Sequence, residues 1–443
     1  MRDRLTPFAL RWAQSRVASP VLIEAEPRLL RDLFLELAPY TEEVLETFPR
    51  LLGFMERIEP FTLPIRSLDR FNMLSAFLPR EIIFSLAERR GIEKIYADQM
   101  MYAFYQTVPD NGVYTAKRKI AKEVTFTTTE WTRKLIGADI ANSRGFTGEG
   151  VLVAVADTGA SRVHEQIRRV VFESTMGQMR DENGHGTWCT SCIGGEKAVD
   201  EVMSRTVGKT VQCEGMAPSC DLLAIKCLGF FIGIGSTSSI LQAISRAIDR
   251  KANVISMSLG GEAESDKPDD DPYYSVMQKV VEAGIIPVIA AGNSGPDENT
   301  MNAPGDMPQV LTVGAYDPID GKIADFSSRG PTNWDDVKPD VIAPGVDINS
   351  GIVGVLDSSG DGKPSRYSPL SGTSMATPHV AGLVACMMQA HRKLVGQELT
   401  VDEIKKMMQE LGTQKNNTVG WGPITWGIYE RWLSTQHSLR REV

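Results

Sequence analysis

The chain has 443 residues, 42% of them hydrophobic and 23% charged, the balance of a soluble globular protein with room for one large and one small domain. Its 47 Lys and Arg against 56 Asp and Glu leave a net charge of −9. No basic run exceeds a triplet, which argues against a nucleic-acid interface built on clustered cations. No stretch has the uninterrupted apolar length that crosses a bilayer, so no membrane span is expected.

In the N-terminal stretch MRDRLTPFALRWAQSR, Arg11 interrupts the apolar run that a secretory signal needs. A cytoplasmic location is therefore expected, with export by another route or a signal lost from this sequence as the alternatives. Cysteines occupy positions 189, 192, 213, 220, 227 and 386. A core of this size does not need disulfides, so buried or free thiols are the expected state and a disulfide is the alternative.

Taken in order, residues 21–26 predict a strand and 28–46 one or two amphipathic helices broken by Pro39. Residues 52–67 read as extended and 73–78 as a strand. Residues 80–90 predict a helix with Ile82, Ile83 and Leu86 on one face, stopped by Gly91. Residues 92–104 return to strand. The order β-α-β-β-α-β predicts a small α+β, ferredoxin-like unit over residues 1–108. Pro109-Asp110-Asn111-Gly112 is a turn signal, and the polar, basic stretch after it makes residues 109–122 a linker exposed enough to be cut.

Residues 123–443 have an α/β pattern. Continuous apolar runs at 150–156, 221–226, 254–259, 285–290 and 310–313 suit parallel strands buried on both faces. Helical stretches lie between them, including 239–250 and 274–283. A mainly parallel sheet with helices on both faces is the expected architecture.

Three motifs carry chemistry. Ala156-Asp157-Thr158-Gly159 follows an apolar strand, where open α/β sheets place their sites. Asn183-Gly184-His185-Gly186-Thr187 puts an imidazole at the start of an apolar helix. The segment from Ser371 to Gly382, SGTSMATPHVAG, brings Ser374 to the start of another. A serine hydroxyl is a weak nucleophile and needs an imidazole to take its proton; the imidazole needs a carboxylate to fix its tautomer and stabilise its charge. Asp157, His185 and Ser374 supply these parts in the chain order of the subtilisin triad. Ala290-Ala291-Gly292-Asn293 ends another apolar strand and leaves an amide that can donate to a developing oxyanion.

Together these motifs resemble the subtilisin family over about residues 125–432. Supporting blocks are Gly215-Met216-Ala217-Pro218, Ser256-Met257-Ser258-Leu259-Gly260-Gly261 and Phe326-Ser327-Ser328-Arg329-Gly330. The resemblance implies a serine endopeptidase acting on protein or peptide substrates through an acyl-enzyme. It gives Asp157, His185 and Ser374 the triad roles, Asn293 the oxyanion hole, and Ser258, Leu259 and Gly260 the edge that pairs with extended substrate. Ala290, Gly292 and Asn302 fall to the same groove, with Asn302 standing where a pocket-lining glycine is common. Residues 73–98 resemble the end of a subtilisin propeptide, which implies a self-inhibited zymogen with the N-terminal domain as its own inhibitor.

Other residues have plainer readings. His379 and His164 are expected to be structural, and His391 and His437 to lie at the surface. Trp188 is expected near the leaving-group side. Cys189 resembles a free thiol that some family members carry beneath the catalytic histidine. A metal held by His185, Cys189 and Cys192 would consume the triad base. The chemistry requires no cofactor, although the acidic runs 266–271 and 357–361 could bind structural Ca2+. Gln166 falls where many relatives have a calcium-binding Asp, which puts that site in doubt. A selective processing protease or transpeptidase, and a non-catalytic binding protein of the same fold, are the competing readings.

Overall fold

The computed structural model describes residues 4–16, 18–47, 65–104, 127–167, 169–229, 232–263, 265–353 and 366–441. In the N-terminal part, four strands pair in the order Ile65–Leu68, Met73–Pro79, Ala18–Ala25, Ile92–Ala97. Every neighbouring pair is antiparallel. Helices Pro27–Thr47 and Arg80–Glu88 complete the β-α-β-β-α-β order. The first of these runs straight through Pro39, against the expected break. Proline removes one bond to the carbonyl four residues earlier. That residue, Leu35, lies on the exposed face, where water can satisfy the freed oxygen, while Leu30, Leu33 and Leu37 hold the buried face.

The large sheet has seven strands, in the order Val341–Pro344, Leu311–Tyr316, Ile286–Ala290, Val254–Met257, Leu152–Asp157, Asp221–Lys226, Val170–Ser174. All of its pairs are parallel. Side chains alternate between two cores. Val153, Val155, Val254 and Val288 face helices His185–Gly194 and Thr373–Val395. Ala154, Ala156, Ile255 and Ile289 face helices Thr237–Asp249 and Pro272–Glu282. This is the expected doubly covered parallel sheet. Its edge strands at 170–174 and 341–344 lack the long apolar runs by which the central strands were read.

The stretch 92–104 is not one strand. It splits into Ile92–Ala97, in the N-terminal sheet, and Met100–Ala103, which joins a different sheet. Buried Asp98 fixes the switch. Its carboxylate accepts from Ser238 N at 2.8 Å, in the first turn of the Thr237–Asp249 helix, and from Ser75 Oγ at 2.9 Å. A carboxylate satisfies orphan donors and the positive end of a helix well. Met100–Ala103 then runs antiparallel between Ile234–Ser236 and Leu259–Glu262, with Asn302–Ala303 beyond the latter. Among the described residues, no helix is long and apolar enough to cross a membrane.

Candidate active site

Asp157 ends the Leu152–Asp157 strand, and His185 opens the His185–Gly194 helix. Asp157 Oδ1 lies 2.8 Å from His185 Nδ1, and both side chains are buried. Gly186 allows this approach, because a Cβ there would collide with the Gly159 carbonyl oxygen and stand 3.1 Å from Asp157 Oδ1. The turn into the helix is shaped by Asp181, which sequence reasoning missed. Its Oδ1 accepts from Asn183 N, Gly184 N and Thr158 Oγ1, and its Oδ2 from Thr187 N and Thr187 Oγ1. Beside it, fully buried Lys226 donates to the Thr158 carbonyl at 3.0 Å. Burial lowers the pKa of Lys226 and raises that of Asp181.

Ser374 lies in the first turn of the Thr373–Val395 helix. Its Oγ donates to the Ser258 carbonyl oxygen at 2.9 Å. Pro378 sits four residues later and has no N–H, so the Ser374 carbonyl is released from the helix ladder. Ser258 Oγ at 3.0 Å and Cys189 Sγ at 3.6 Å take it up instead. The proline of the motif therefore ties the nucleophile's backbone to the neighbouring strand. Asn293 is half-buried. Its Oδ1 accepts from Thr373 N and Thr373 Oγ1, each at 2.9 Å. With the amide oxygen thus engaged, Nδ2 is left to donate elsewhere. Thr373 Oγ1 also accepts from Gly292 N at 3.2 Å, so one threonine orients the end of the Ile286–Ala290 strand against the nucleophile helix.

The predicted groove residues come together beside this centre. Leu259 and Gly260 pair with Ala103 and Tyr102. Asn302, 8% exposed, donates from Nδ2 to the Gly261 carbonyl at 2.9 Å and accepts from Ser294 Oγ at 3.4 Å. Its polar atoms thus bind the pocket walls together. A Cβ on Gly292 would clash with Asn302, so Gly292 must remain a glycine for that side chain to fit. Ala290 is buried in the strand behind them.

Several expectations are corrected. Trp188 is fully buried and donates from Nε1 to the Ser368 carbonyl at 3.0 Å, far into the core rather than lining a groove. His391 is 3% exposed and stacks on Trp432; the side chain of His437 lies outside the described residues. Cys192 does not join His185, because its Sγ faces His379 Nδ1 at 3.4 Å. The described residues bring three metal-ligating atoms together at Asp157, His185 and Cys189, within 4.8 Å. These are the carboxylate and imidazole that base catalysis requires. The 266–271 run does not fit a calcium cradle. Lys94 holds the Asp270 carboxylate at 2.7 Å and the Asp269 carbonyl at 2.6 Å, and Asp271 caps its helix through Tyr273 N at 2.8 Å. Residues 357–361 lie outside the described residues. Gln166 is uncharged and donates to the Glu196 carbonyl at 3.1 Å.

His379 is a core residue, held by the Met375 carbonyl and Thr132 Oγ1, each at 2.7 Å. Burial lowers its pKa to about 4 from the usual 6.5. Between those values the unfolded chain binds a proton that the native one does not, so stability is full above pH 6.5 and falls as pH drops toward 4. At ~1.4 kcal/mol per pKa unit the expected loss is roughly 3 kcal/mol. Urea midpoints at pH 7 and pH 5, in a Ser374→Ala background that prevents autolysis, should show this slope. His379→Asn should flatten it.

Comparison with known proteins agrees with this geometry. The profile of the Subtilase family matches residues 148–422. Serine protease AprX of Bacillus subtilis is 33% identical over 386 residues, covering 82% of this chain and 77% of that protein. That share exceeds what residues 148–443 could supply, so the similarity reaches into the N-terminal part. A thermostable alkaline protease of Halalkalibacterium halodurans is 36% identical over 267 residues, 59% of this chain and 64% of its own length. An intracellular serine protease of Paenibacillus polymyxa is 34% identical over 270 residues, 58% of this chain and 72% of its own. Catalysis in this family needs no cofactor, and its substrates are proteins. Motif order, sheet topology and sequence similarity thus converge: the chain belongs to the subtilase family and is a subtilisin-like serine endopeptidase.

Proposed function

We propose that Ser374 attacks the peptide carbonyl, with His185 as general base and Asp157 as the carboxylate that holds and charges it. The observation that carries this reading is the buried 2.8 Å contact between Asp157 Oδ1 and His185 Nδ1 beside the Ser374 helix terminus. Asp157 fixes the tautomer with the proton on Nδ1, leaving Nε2 to take the Ser374 proton. In the present geometry Ser374 Oγ bonds to the Ser258 carbonyl, so it must rotate toward the imidazole as substrate is engaged; loose nucleophile geometry before substrate binding is common. The tetrahedral oxyanion is held by Asn293 Nδ2 and the first-turn N–H groups of the Thr373–Val395 helix. Collapse expels the amine, which takes the proton from His185, and water then hydrolyses the acyl-enzyme.

We further propose that residues 1–108 are the protein's own propeptide and inhibitor. The pairing of Met100–Ala103 with the Ile234–Ser236 and Leu259–Glu262 strands supports this, since it fills the position an extended substrate would take. Six buried free cysteines support a reducing, cytoplasmic location.

The test is digestion of an unfolded protein with mass mapping of the products, which should show internal cuts rather than end-trimming. Asn293→Leu should lower kcat by about 100- to 1,000-fold, the usual loss of one oxyanion donor, with KM within a few-fold. Exclusive end-trimming, or an unchanged kcat in Asn293→Leu, would argue against the reading.

A further inference from the structure

The Met100–Ala103 ladder leads directly to the nucleophile. Ala103 stands against Leu259 and Tyr102 against Gly260. The next N–H, that of Phe104, donates to the Ser258 carbonyl oxygen at 3.4 Å. Ser374 Oγ donates to that same oxygen at 2.9 Å. Two donors on one acceptor place the Phe104 amide and the Ser374 hydroxyl side by side. The Phe104 carbonyl, two bonds further along the chain, is therefore the peptide carbonyl that the strand presents to Ser374.

We infer that the bond following Phe104 is the chain's own processing bond, and that residues 101–104 display the selectivity of the groove. The inference rests on the reading of Ser374 as nucleophile, and it moves the cut from residues 109–122 to the end of the seated strand. Ser374 Oγ bonds to the Phe104 carbonyl carbon while its proton passes to His185. The C–N bond to Tyr105 breaks and its nitrogen takes that proton. Water then cleaves the ester, leaving the Phe104 carboxyl group and restoring Ser374.

The four side chains meet different surroundings. Met101 is 1% exposed in an apolar cluster with Leu228 and Tyr96, its Sδ 2.8 Å from where a Cβ on Gly261 would stand. The absence of a side chain at Gly261 therefore makes its room. Tyr102 is 48% exposed and makes its ladder bonds through the backbone. Ala103 comes within 3.0 Å of a Cβ position on Gly233, which leaves little space for a larger residue. The Phe104 ring edge lies 2.6 Å from the Cβ position of Gly260, flat against the strand. The groove accordingly accepts a flat apolar residue before the scissile bond, a small one before that, any residue third, and a buried apolar one fourth.

The test follows the full chain by intact mass and N-terminal sequencing, beside Ser374→Ala. The expected first products are residues 1–104 and 105–443, with Ser374→Ala remaining whole. Because substitutions in residues 101–104 could disturb folding, selectivity is read on peptides with the matured enzyme. Acetyl-Met-Tyr-Ala-Phe anilide should exceed its Phe→Asp counterpart by at least about 100-fold in kcat/KM and its Met→Asp counterpart by about tenfold, the scale of burying a charge in an apolar pocket. A first cut within residues 109–122, or equal rates for the three peptides, would overturn the inference while leaving the endopeptidase intact. A wild type that neither cuts itself nor digests unfolded protein would overturn the assignment of Ser374, and the inference with it.

Discussion

Ser374→Ala is expected to lower kcat by about a million-fold, with KM changed little. Removing the nucleophile abolishes the covalent route and leaves the oxyanion donors and binding, which together retain a residual 1,000- to 10,000-fold advantage over water. The loss should be strongly non-additive. Adding His185→Ala to Ser374→Ala should cost almost nothing more, because the base has no hydroxyl left to serve. The fold should survive. Ser374 is buried, and its hydroxyl makes one described hydrogen bond, to the Ser258 carbonyl. Losing it costs about 1 kcal/mol. Stopped-flow or long-incubation assays on a chromogenic peptide, with circular dichroism as the folding control, measure both quantities. A drop of less than about 100-fold, or further loss in the double variant comparable to the first, would contradict the assignment.

Asp157→Asn should cost about 10,000-fold in kcat, less than the serine and far more than any surface change. The carboxylate is fully buried and bonded to His185 Nδ1, and it also accepts from Thr158 N at 2.6 Å. An amide of the same size keeps the packing but loses the charge that stabilises the imidazolium. If its NH2 group turns toward Nδ1, it also holds the imidazole in the wrong tautomer. KM should stay within a few-fold because Asp157 lies behind the imidazole, away from the substrate strand. A fall shared equally between kcat and KM would instead indicate collapse of the His185 turn, which Asp181 and Lys226 help to hold.

Much of this site could be read before the coordinates, for local reasons. The nucleophile, base, carboxylate and amide each sit in a short motif at the junction of an apolar run and a turn, where backbone chemistry is strongly restricted. The parallel sheet was legible for the same reason: strands such as 221–226 and 254–257 are continuously apolar because both faces are covered. What escaped was non-local. Asp181 looks like any loop carboxylate, and its role appears once five donors from Thr158 to Thr187 converge on it. Lys226 reads as a strand-end cation, yet it is buried against the Thr158 carbonyl. Residues 92–104 carry one extended pattern, and nothing within them signals that the halves pair with different sheets. That division depends on Asp98 meeting Ser238, 140 positions away. Trp188 was placed by its neighbour in the motif, whereas helix geometry turns it into the core beside Ser368.

Titration of the matured protein with a fluorophosphonate, following digestion of unfolded protein alongside peptide mass mapping, tests the central claim most directly. The account predicts that activity falls in proportion to a single adduct, that full loss coincides with one adduct per chain, and that the adduct maps to Ser374. Activity that persists at full labelling, or an inactivating adduct on any other residue, would contradict it.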